Sequence, residues 1–295
     1  MQAIVLGCSK GIGLETVRQL AKAAAASSAA AESAWPKYQK VLAGTRNPDS
    51  AEELHQLQQE FPGVIDVQKV DTGDLSSLKA LSQHAAQSNG GKADVALLFH
   101  AAGVLHDDSR GFAPEKKIED INREYLEYIF RVNTFGPALA LHAFAKDLSK
   151  PGRRISASLS ARVGSIGDNG IGGWYSYRAS KAALNQLVKT ASIEMARRNK
   201  QAVVCALHPG TVATNLSEPV SHTLARPPIR HTRFQFAVPA QCQAGEALHG
   251  RARRTAAAGR GAHSAHRSVP GVGRRGTPVV GARMPECHRP CAVCP

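Results

Sequence analysis

The sequence predicts an α/β fold of three layers, in which a doubly wound parallel sheet of six strands lies between helices. Three observations lead to this prediction. Short apolar runs alternate with longer segments of helical periodicity, several of these runs are apolar throughout, and the alternation continues to about residue 220. Strands that are apolar throughout are buried on both faces, which is typical of parallel sheets covered by helices.

The predicted elements follow one another in a regular order. Strands are predicted at residues 2–7, 40–45, 64–70, 94–99, 154–160 and 202–207. Helices are predicted at residues 12–26, 50–60, 76–87, 121–145 and 175–198, and the Ala/Ser-rich residues 23–33 extend the first helix into a loop. Ligands of such sheets bind at the carboxyl ends of the strands, so we expect the functional residues there.

Composition divides the 295 residues into a folded domain at 1–220 and a tail at 221–295. The tail carries twelve arginines, no lysine, two acids and eight prolines, and it accounts for ten of the fourteen net positive charges. It has no sustained apolar period, so we expect it to be irregular and disordered. Its composition is also that of a GC-rich coding sequence read in a shifted frame, which is our hypothesis for its origin.

Composition also excludes several classes of function. No run of 18 apolar residues predicts a membrane span, and the N-terminus enters a strand without a basic segment, so we expect no signal peptide and a cytoplasmic location. The tail arginines have no interleaved aromatic residues, which argues against specific nucleic-acid binding. Cys287, His288, Cys291 and Cys294 crowd together without a partner pair, so we predict no metal site.

A glycine-rich turn joins the first strand to the first helix in the pattern G-x-x-x-G-x-G. Glycines at such a turn let the backbone close on a pyrophosphate, and the N-terminus of the helix favours its negative charge. The alternative is a turn that binds nothing. We predict that the turn holds a dinucleotide through Gly7, Ser9, Lys10, Gly11, Ile12 and Gly13.

The end of the second strand indicates which dinucleotide is bound. An acid at this place accepts the ribose 2′-hydroxyl of NAD, whereas a cation accommodates the 2′-phosphate of NADP. Thr45 is neutral, Arg46 is cationic, and Lys10 adds a second positive charge from the glycine turn. The sequence therefore predicts NADP(H), although a merely solvated Arg46 remains the alternative.

Two short motifs follow the third and fourth strands. Asp71 and Thr72 could hydrogen-bond the adenine amine, and they could equally cap a loop. Ala101, Ala102 and Gly103 end the fourth strand, where small side chains let the chain pass beneath a cofactor. Both motifs therefore extend the predicted cofactor site along the same edge of the sheet.

Tyr177 and Lys181 lie four residues apart on the helix predicted at 175–198, so their side chains share one face. An ammonium group favours the phenolate, and we expect it to lower the pKa of Tyr177 from about 10 toward that of a usable general acid–base. Taken alone, the pair also fits a half-buried tyrosine and a solvated lysine. Asn133, within a long helix, is either a packing residue or the holder of a water in a proton relay.

Together these motifs resemble those of the short-chain dehydrogenase/reductase family over residues 2–216. Residues 164–169, 172–185 and 208–212 look like the C-factor and sniffer branch of its carbonyl-reductase-like enzymes. The motifs that carry the family resemblance, in chain order, are Gly7/Gly11/Gly13, Asp71, Ala101-Ala102-Gly103, Val132-Asn133, Tyr177-x-x-x-Lys181 and Pro209-Gly210-Thr211.

The resemblance implies a Rossmann-type domain that transfers hydride between NADP(H) and a carbonyl or alcohol. Tyr177 would be the proton donor, Lys181 would bind the nicotinamide ribose and lower the Tyr177 pKa, and Asn133 would hold the relay water. The family also implies a homodimer through helices 121–145 and 175–198. The residues expected along the nicotinamide and near its phosphates or carboxamide are Pro209, Gly210, Val212 and Thr214.

The sequence departs from the family pattern in ways that matter for activity. Leu6 replaces a threonine before the first glycine, and His100 precedes Ala101 where the family has two asparagines. Ala161 occupies the slot of the catalytic serine, so we assign that role to Ser160, with Ser165 as the alternative. The tail lacks the family's substrate loop, helix and last strand. A catalytically weak dinucleotide-binding signalling or interaction protein of the C-factor type is therefore the alternative function.

Overall fold

The computed structural model describes residues 1–26, 38–210, 212 and 216. Six parallel strands form one sheet in the order β3-β2-β1-β4-β5-β6. The chain begins in the middle of the sheet, builds one half, returns beside β1 and builds the other half, which confirms the predicted doubly wound α/β fold. The strands are β1 (Gln2–Leu6), β2 (Lys40–Thr45), β3 (Ile65–Lys69), β4 (Val95–His100), β5 (Arg154–Leu159) and β6 (Ala202–Leu207).

Six α-helices connect the strands. Most of them bury an apolar stripe against the sheet, as the helical period of the sequence predicts, whereas the helix that begins at Arg123 packs Tyr125 and Ile129 against Leu105 and Tyr177. Short 3₁₀ turns lie between them at Pro48–Ser50, Asp108–Arg110, Ile118–Asp120 and Arg162–Gly164. The helices are α1 (Gly11–Ala25), α2 (Glu52–Glu60), α3 (Leu75–Gln87), α4 (Arg123–Phe130), α5 (Gly136–Leu148) and α6 (Tyr175–Arg198).

The continuous helix predicted at 121–145 is wrong in one respect. A π-helical turn at Arg131–Phe135 separates α4 from α5. Pro137 has no N–H group, so the main-chain carbonyl of Asn133 lacks the amide donor that an α-helix would supply four residues later. The proline therefore accounts for the wider turn, which the apolar period of the segment did not reveal.

The two faces of the sheet carry separate cores. On one face, α1 and α2 pack with side chains such as Val17, Leu54 and Leu57. On the other face, α3, α5 and α6 contribute side chains such as Phe144 and Leu184. Strand β6 lies at the edge of the sheet as far as the chain is described, and Val204 is its single buried residue there.

No helix within the described residues is long and apolar enough to cross a membrane. The predicted tail at 221–295 lies outside the described residues, as do residues 27–33 of the Ala/Ser-rich segment predicted at 23–33.

Candidate active site

A cleft of about 1820 Å³ runs along the carboxyl ends of the strands. It brings together almost all the residues that the sequence singled out for a cofactor. Thr214 lies outside the described residues, and Asn133 stands behind the wall of the cleft. The predicted residues that line it are Gly7, Ser9, Lys10, Gly11, Ile12, Gly13, Arg46, Asp71, Thr72, Ala101, Ala102, Gly103, Ser160, Tyr177, Lys181, Pro209, Gly210 and Val212.

The glycine turn is built so tightly that side chains cannot replace its glycines. A Cβ on Gly13 would lie 2.2 Å from the carbonyl oxygen of Gly7. A Cβ on Gly7, whose φ is +78°, would lie 2.5 Å from the main-chain nitrogen of Ala102. Bare backbone therefore faces the cleft at the start of α1, which is an arrangement suited to an anionic group such as a pyrophosphate.

Positive side chains gather at the end of the cleft where β2 and β3 terminate. Lys10, in the glycine turn, and Arg46, the residue after β2, both line the cleft. The sequence did not point to Arg131, whose guanidinium donates to Asp71 at 2.9 Å. Asp71 also accepts from the main-chain N–H of Gly73 at 2.8 Å, so it braces its own loop and holds Arg131 beside the cleft.

Tyr177 and Lys181 lie side by side on the wall of the cleft, both almost completely buried. The Lys181 ammonium nitrogen is 5.8 Å from the centre of the Tyr177 ring and donates to the carbonyl oxygen of Leu159 at 2.9 Å. The sequence left open that Tyr177 is half-buried and Lys181 solvated. The structure excludes this alternative, because both side chains are buried.

The pKa shift of Tyr177 is opposite in direction to the one expected from the sequence, and burial is the cause. Burial raises the pKa of Tyr177 to about 12 and lowers the pKa of Lys181 to about 8, because both charged forms lose hydration in the wall of the cleft. The sequence predicted a lowered pKa for Tyr177 on the strength of the neighbouring ammonium alone. Desolvation outweighs that attraction, so at neutral pH Tyr177 is a neutral phenol and Lys181 is mostly charged.

Asn133 uses its side chain to fasten the π-helical turn to its surroundings. Its amide nitrogen donates to the Val104 carbonyl at 2.8 Å and to the Ser180 hydroxyl at 3.2 Å, and its amide oxygen accepts from the Val104 N–H at 2.8 Å. Ser180 in turn donates to the carbonyl of Tyr177 at 2.8 Å. Both side-chain donors of Asn133 are thus occupied, and its main-chain carbonyl lacks the α-helical donor that Pro137 cannot supply.

The serine of the site is engaged elsewhere. The Ser160 hydroxyl donates to the side-chain oxygen of Asn185 at 2.7 Å, although Ser160 lines the cleft. Ala161 also lines the cleft, whereas Ser165 accepts from the N–H of Asp168 at 3.3 Å and is absent from the lining. The fold therefore favours Ser160 over Ser165 by position, but with its hydroxyl turned toward α6.

His100 ends β4 and is buried where the family pattern has asparagine. Burial, with a smaller effect of the nearby Lys181 charge, lowers the pKa of His100 to about 3, so the ring is neutral at physiological pH. Its Nε2 atom has no hydrogen-bond partner among the residues that the structure describes. Leu6 is also fully buried and packs in the core beside α3 and α5.

Arginines that the sequence did not suggest hold the segment beside Tyr177. Arg178 donates to the carbonyls of Gly173 and Gly172 at 2.9 and 3.1 Å, and Arg162 forms an ion pair with Asp168. These contacts join α6 and the end of β5 to residues 165–173, which border the cleft. Their signal in the sequence was weak, because arginines beside glycines are common in loops.

Sequence comparison identifies the family to which this fold and cleft belong. The family model for short chain dehydrogenases matches residues 1–225. The chain belongs to the short-chain dehydrogenase family. Among curated members, this short-chain dehydrogenase is 34% identical over 160 residues to 1-hydroxy-2-glutathionyl-2-methyl-3-butene dehydrogenase of Rhodococcus sp. strain AD45, which covers 54% of this chain and 64% of that relative.

Three further likenesses concern the predicted branch. The short-chain dehydrogenase is 35% identical over 100 residues to C-signal of Myxococcus xanthus, covering 34% of this chain and 59% of that protein. It is similar to the carbonyl reductase Sniffer of D. melanogaster, with 26% identity, a TM-score of 0.58 and coverage of 72% and 82%. It is also similar to NADPH-bound carbonyl reductase from chicken fatty liver, with 27% identity, a TM-score of 0.60 and coverage of 73% and 77%.

The short-chain dehydrogenase thus falls in the C-factor and sniffer-like branch, as its motifs predicted. Its chain spans less than two thirds of the length of two of these curated relatives, the Rhodococcus dehydrogenase and C-signal.

Proposed function

We propose that this protein is an NADP(H)-dependent oxidoreductase that interconverts small carbonyl compounds and alcohols. The observation that carries the proposal is the buried pair of Tyr177 and Lys181 on the wall of the cleft that begins at the glycine turn. Bound NADP(H) would supply or accept the hydride, while the protein supplies position and charge. Lys181 would also bind the nicotinamide ribose.

The lining of the cleft supports NADP(H) as the cofactor. The glycine turn offers backbone to a pyrophosphate, and Lys10 and Arg46 bring positive charge to the end where a 2′-phosphate would lie. The chicken carbonyl reductase, a relative at 27% identity, carries NADPH. We expect Arg46→Ala to raise the KM for NADPH roughly tenfold, because one charge-assisted contact to the 2′-phosphate would be lost. The KM for NADH, which has no 2′-phosphate, should stay unchanged.

In the reduction direction, Tyr177 would donate its phenolic proton to the carbonyl oxygen of the substrate. Its pKa of about 12 keeps the proton on the phenol at neutral pH, so the residue is in the protonated form that a general acid needs. Lys181 would stabilise the phenolate that remains, because an ammonium lies 5.8 Å from the ring centre. The main-chain carbonyl of Asn133 would hold the water through which the proton is replaced.

One observation favours the second candidate, a dinucleotide-binding signalling or interaction protein that turns over slowly. Ala161 stands in the serine slot, and the Ser160 hydroxyl is committed to Asn185 at 2.7 Å. A substrate oxygen would then lack one donor unless Ser160 turns. The similarity to C-signal over 100 residues is consistent with this alternative.

The two candidates are separated by measuring NADPH oxidation with a panel of aldehydes and quinones. We expect the wild-type protein to oxidise NADPH with at least one of these substrates. The rate for Tyr177→Phe should be lower by roughly 10²- to 10⁴-fold, which is the usual contribution of a positioned general acid. Phenylalanine keeps the ring and its packing, so the loss reports the hydroxyl. Equal rates for the two proteins would remove Tyr177 from the mechanism, and NADPH binding without turnover would favour the second candidate.

We further propose that the protein forms a homodimer through residues 121–145, which hold α4, the π-helical turn and the start of α5, and through α6. Phe135, in the π-helical turn before α5, and Leu187, in α6, are 52% and 40% exposed, so an interface between two copies would remove them from water. Light scattering at several concentrations would test this, and a monomer at all of them would contradict it.

A further inference from the structure

Glu115 is a buried carboxylate on the segment between β4 and α4. It is 2% exposed and lines the cleft. None of the ion pairs formed within the described residues involves it. A buried charge is costly unless its oxygens are hydrogen-bonded, so its partners indicate what it does.

Those partners lie at the start of α6, the helix that carries Tyr177. Both carboxylate oxygens of Glu115 accept from the main-chain N–H of Ser176 at 3.2 Å, and one also accepts from the Ser176 hydroxyl. The first N–H groups of a helix have no partner within it, and negative charge is favoured there. Trp174, at the N-cap, makes no side-chain cap of its own, so Glu115 supplies the cap from 61 residues away.

The main chain of Glu115 holds the residue before that helix as well. Its carbonyl oxygen accepts from the N–H of Trp174. Trp174 has φ 55° and ψ 43°, the one non-glycine residue with positive φ among those described, and this conformation is sparsely populated for side-chain-bearing residues. The Trp174 ring meets the Tyr177 ring edge-on, with centroids 6.2 Å apart.

We propose that Glu115 is a positioning residue, which fixes the Tyr177 hydroxyl by capping α6 and by holding the left-handed turn at Trp174. The inference rests on the proposed role of Tyr177 as the proton donor. Tyr177 is the third residue of the helix, so fraying of the first turn moves its ring directly. Ser176, its neighbour, is the contact through which Glu115 acts.

The test compares Glu115→Ala, Glu115→Gln and Ser176→Ala with Glu119→Ala, a matched change at an exposed glutamate of the same segment. We expect Glu115→Ala to lower kcat for carbonyl reduction roughly 10- to 100-fold, as for a misplaced reacting group, with the KM for NADPH unchanged. Glu115→Gln keeps one acceptor oxygen and should fall between wild type and Glu115→Ala. The Glu119→Ala protein should match wild type.

Tryptophan emission gives a readout that needs no turnover. In a Trp35→Phe background Trp174 is the remaining tryptophan, and Glu115→Ala should shift its emission to longer wavelength, whereas Glu119→Ala should not. If Glu115→Ala does not fold by circular dichroism, Glu115→Gln and Ser176→Ala carry the same comparison.

The outcomes separate this inference from the function on which it rests. Wild-type kcat and wild-type Trp174 emission in the Glu115 variants, with an inactive Tyr177→Phe, would overturn the role of Glu115 alone. A fully active Tyr177→Phe would overturn the proposed function instead. A rise in the KM for NADPH without a fall in kcat would place Glu115 in cofactor binding and would also overturn the positioning role.

Discussion

Replacing Lys181 by methionine removes one buried charge beside Tyr177 and keeps a side chain of similar length. Lys181 is 3% exposed, its nitrogen lies 5.8 Å from the centre of the Tyr177 ring, and the Leu159 carbonyl is its acceptor. Methionine fills the space without strain because it is flexible and apolar. The substitution removes the ammonium and also its proposed contact with the nicotinamide ribose, so kcat is measured at saturating NADPH, where a change in cofactor affinity does not enter.

The expected loss of activity follows from the distance. With the 5.8 Å from the Lys181 nitrogen to the ring centre taken as the distance to a phenolate charge shared with the ring, the attraction at an effective dielectric constant of about 20 is about 3 kcal/mol. That attraction acts on the phenolate formed when Tyr177 gives up its proton, so kcat should fall roughly 100-fold.

The same substitution should not destabilise the fold. Burial lowers the pKa of Lys181 from 10.5 to about 8, which corresponds to about 3 kcal/mol of unfavourable free energy at neutral pH. A lysine with a depressed folded pKa costs stability fully below pH 8, and the cost fades as pH rises toward 10.5. The lost hydrogen bond to Leu159 offsets about 1 kcal/mol, so the net gain at pH 7 is about 2 kcal/mol.

Two measurements check this reasoning together. NADPH oxidation at saturating carbonyl substrate gives kcat, and urea unfolding at pH 7 gives the free energy of unfolding. Lys189→Met, at an exposed position of the same helix, is the control and should change neither. A Lys181→Met protein with wild-type kcat, or one clearly less stable than wild type, would refute the electrostatic account.

Two further predictions test the glycine turn and the ion pair between Asp94 and Arg154 at the amino ends of β4 and β5. Gly13→Ala should abolish NADPH binding in a fluorescence titration, because its Cβ would lie 2.2 Å from a main-chain oxygen; Gly170→Ala, with nothing within 4 Å, should bind normally. Burial opposes ionisation of Asp94, yet its hydrogen bond and ion pair with Arg154 hold the Asp94 pKa below the usual 3.8. The stabilisation from this ion pair is therefore present above pH 3.8 and is lost as pH falls through the folded pKa of Asp94. In urea unfolding, the free energy of unfolding of Asp94→Asn should decrease between pH 7 and pH 3 by on the order of 1 kcal/mol less than that of wild type.

Much of the fold could be predicted because its signals are local. The apolar runs at 40–45 and 202–207 became β2 and β6 with the predicted bounds, and the helix at 175–198 became α6. Hydrophobic period reports burial directly, and glycine spacing reports a turn that side chains would block. The predicted cofactor residues also meet in one cleft, because parallel strands bring their carboxyl ends to one edge.

The site's electrostatics could not be predicted from spacing. The four-position spacing of Tyr177 and Lys181 on one helix predicted their proximity correctly. The direction of the Tyr177 pKa shift depends on how much water each group loses, which no local pattern records. The cap that Glu115 places on α6 spans 61 residues, and the engagement of Ser160 by Asn185 spans 25. Such contacts exist only once the sheet has brought distant segments together.

The sequence by itself determined the order of strands and helices along the chain, the glycine turn and the four-position spacing that brings Tyr177 and Lys181 to one face of a helix. Each depends on residues within a few positions of one another. The tertiary structure alone decided that Tyr177 stays protonated, that a π-helical turn interrupts the long helix at Asn133, and that a remote carboxylate caps the helix of Tyr177. The physical reason is that desolvation and long-range hydrogen bonds are properties of three-dimensional surroundings.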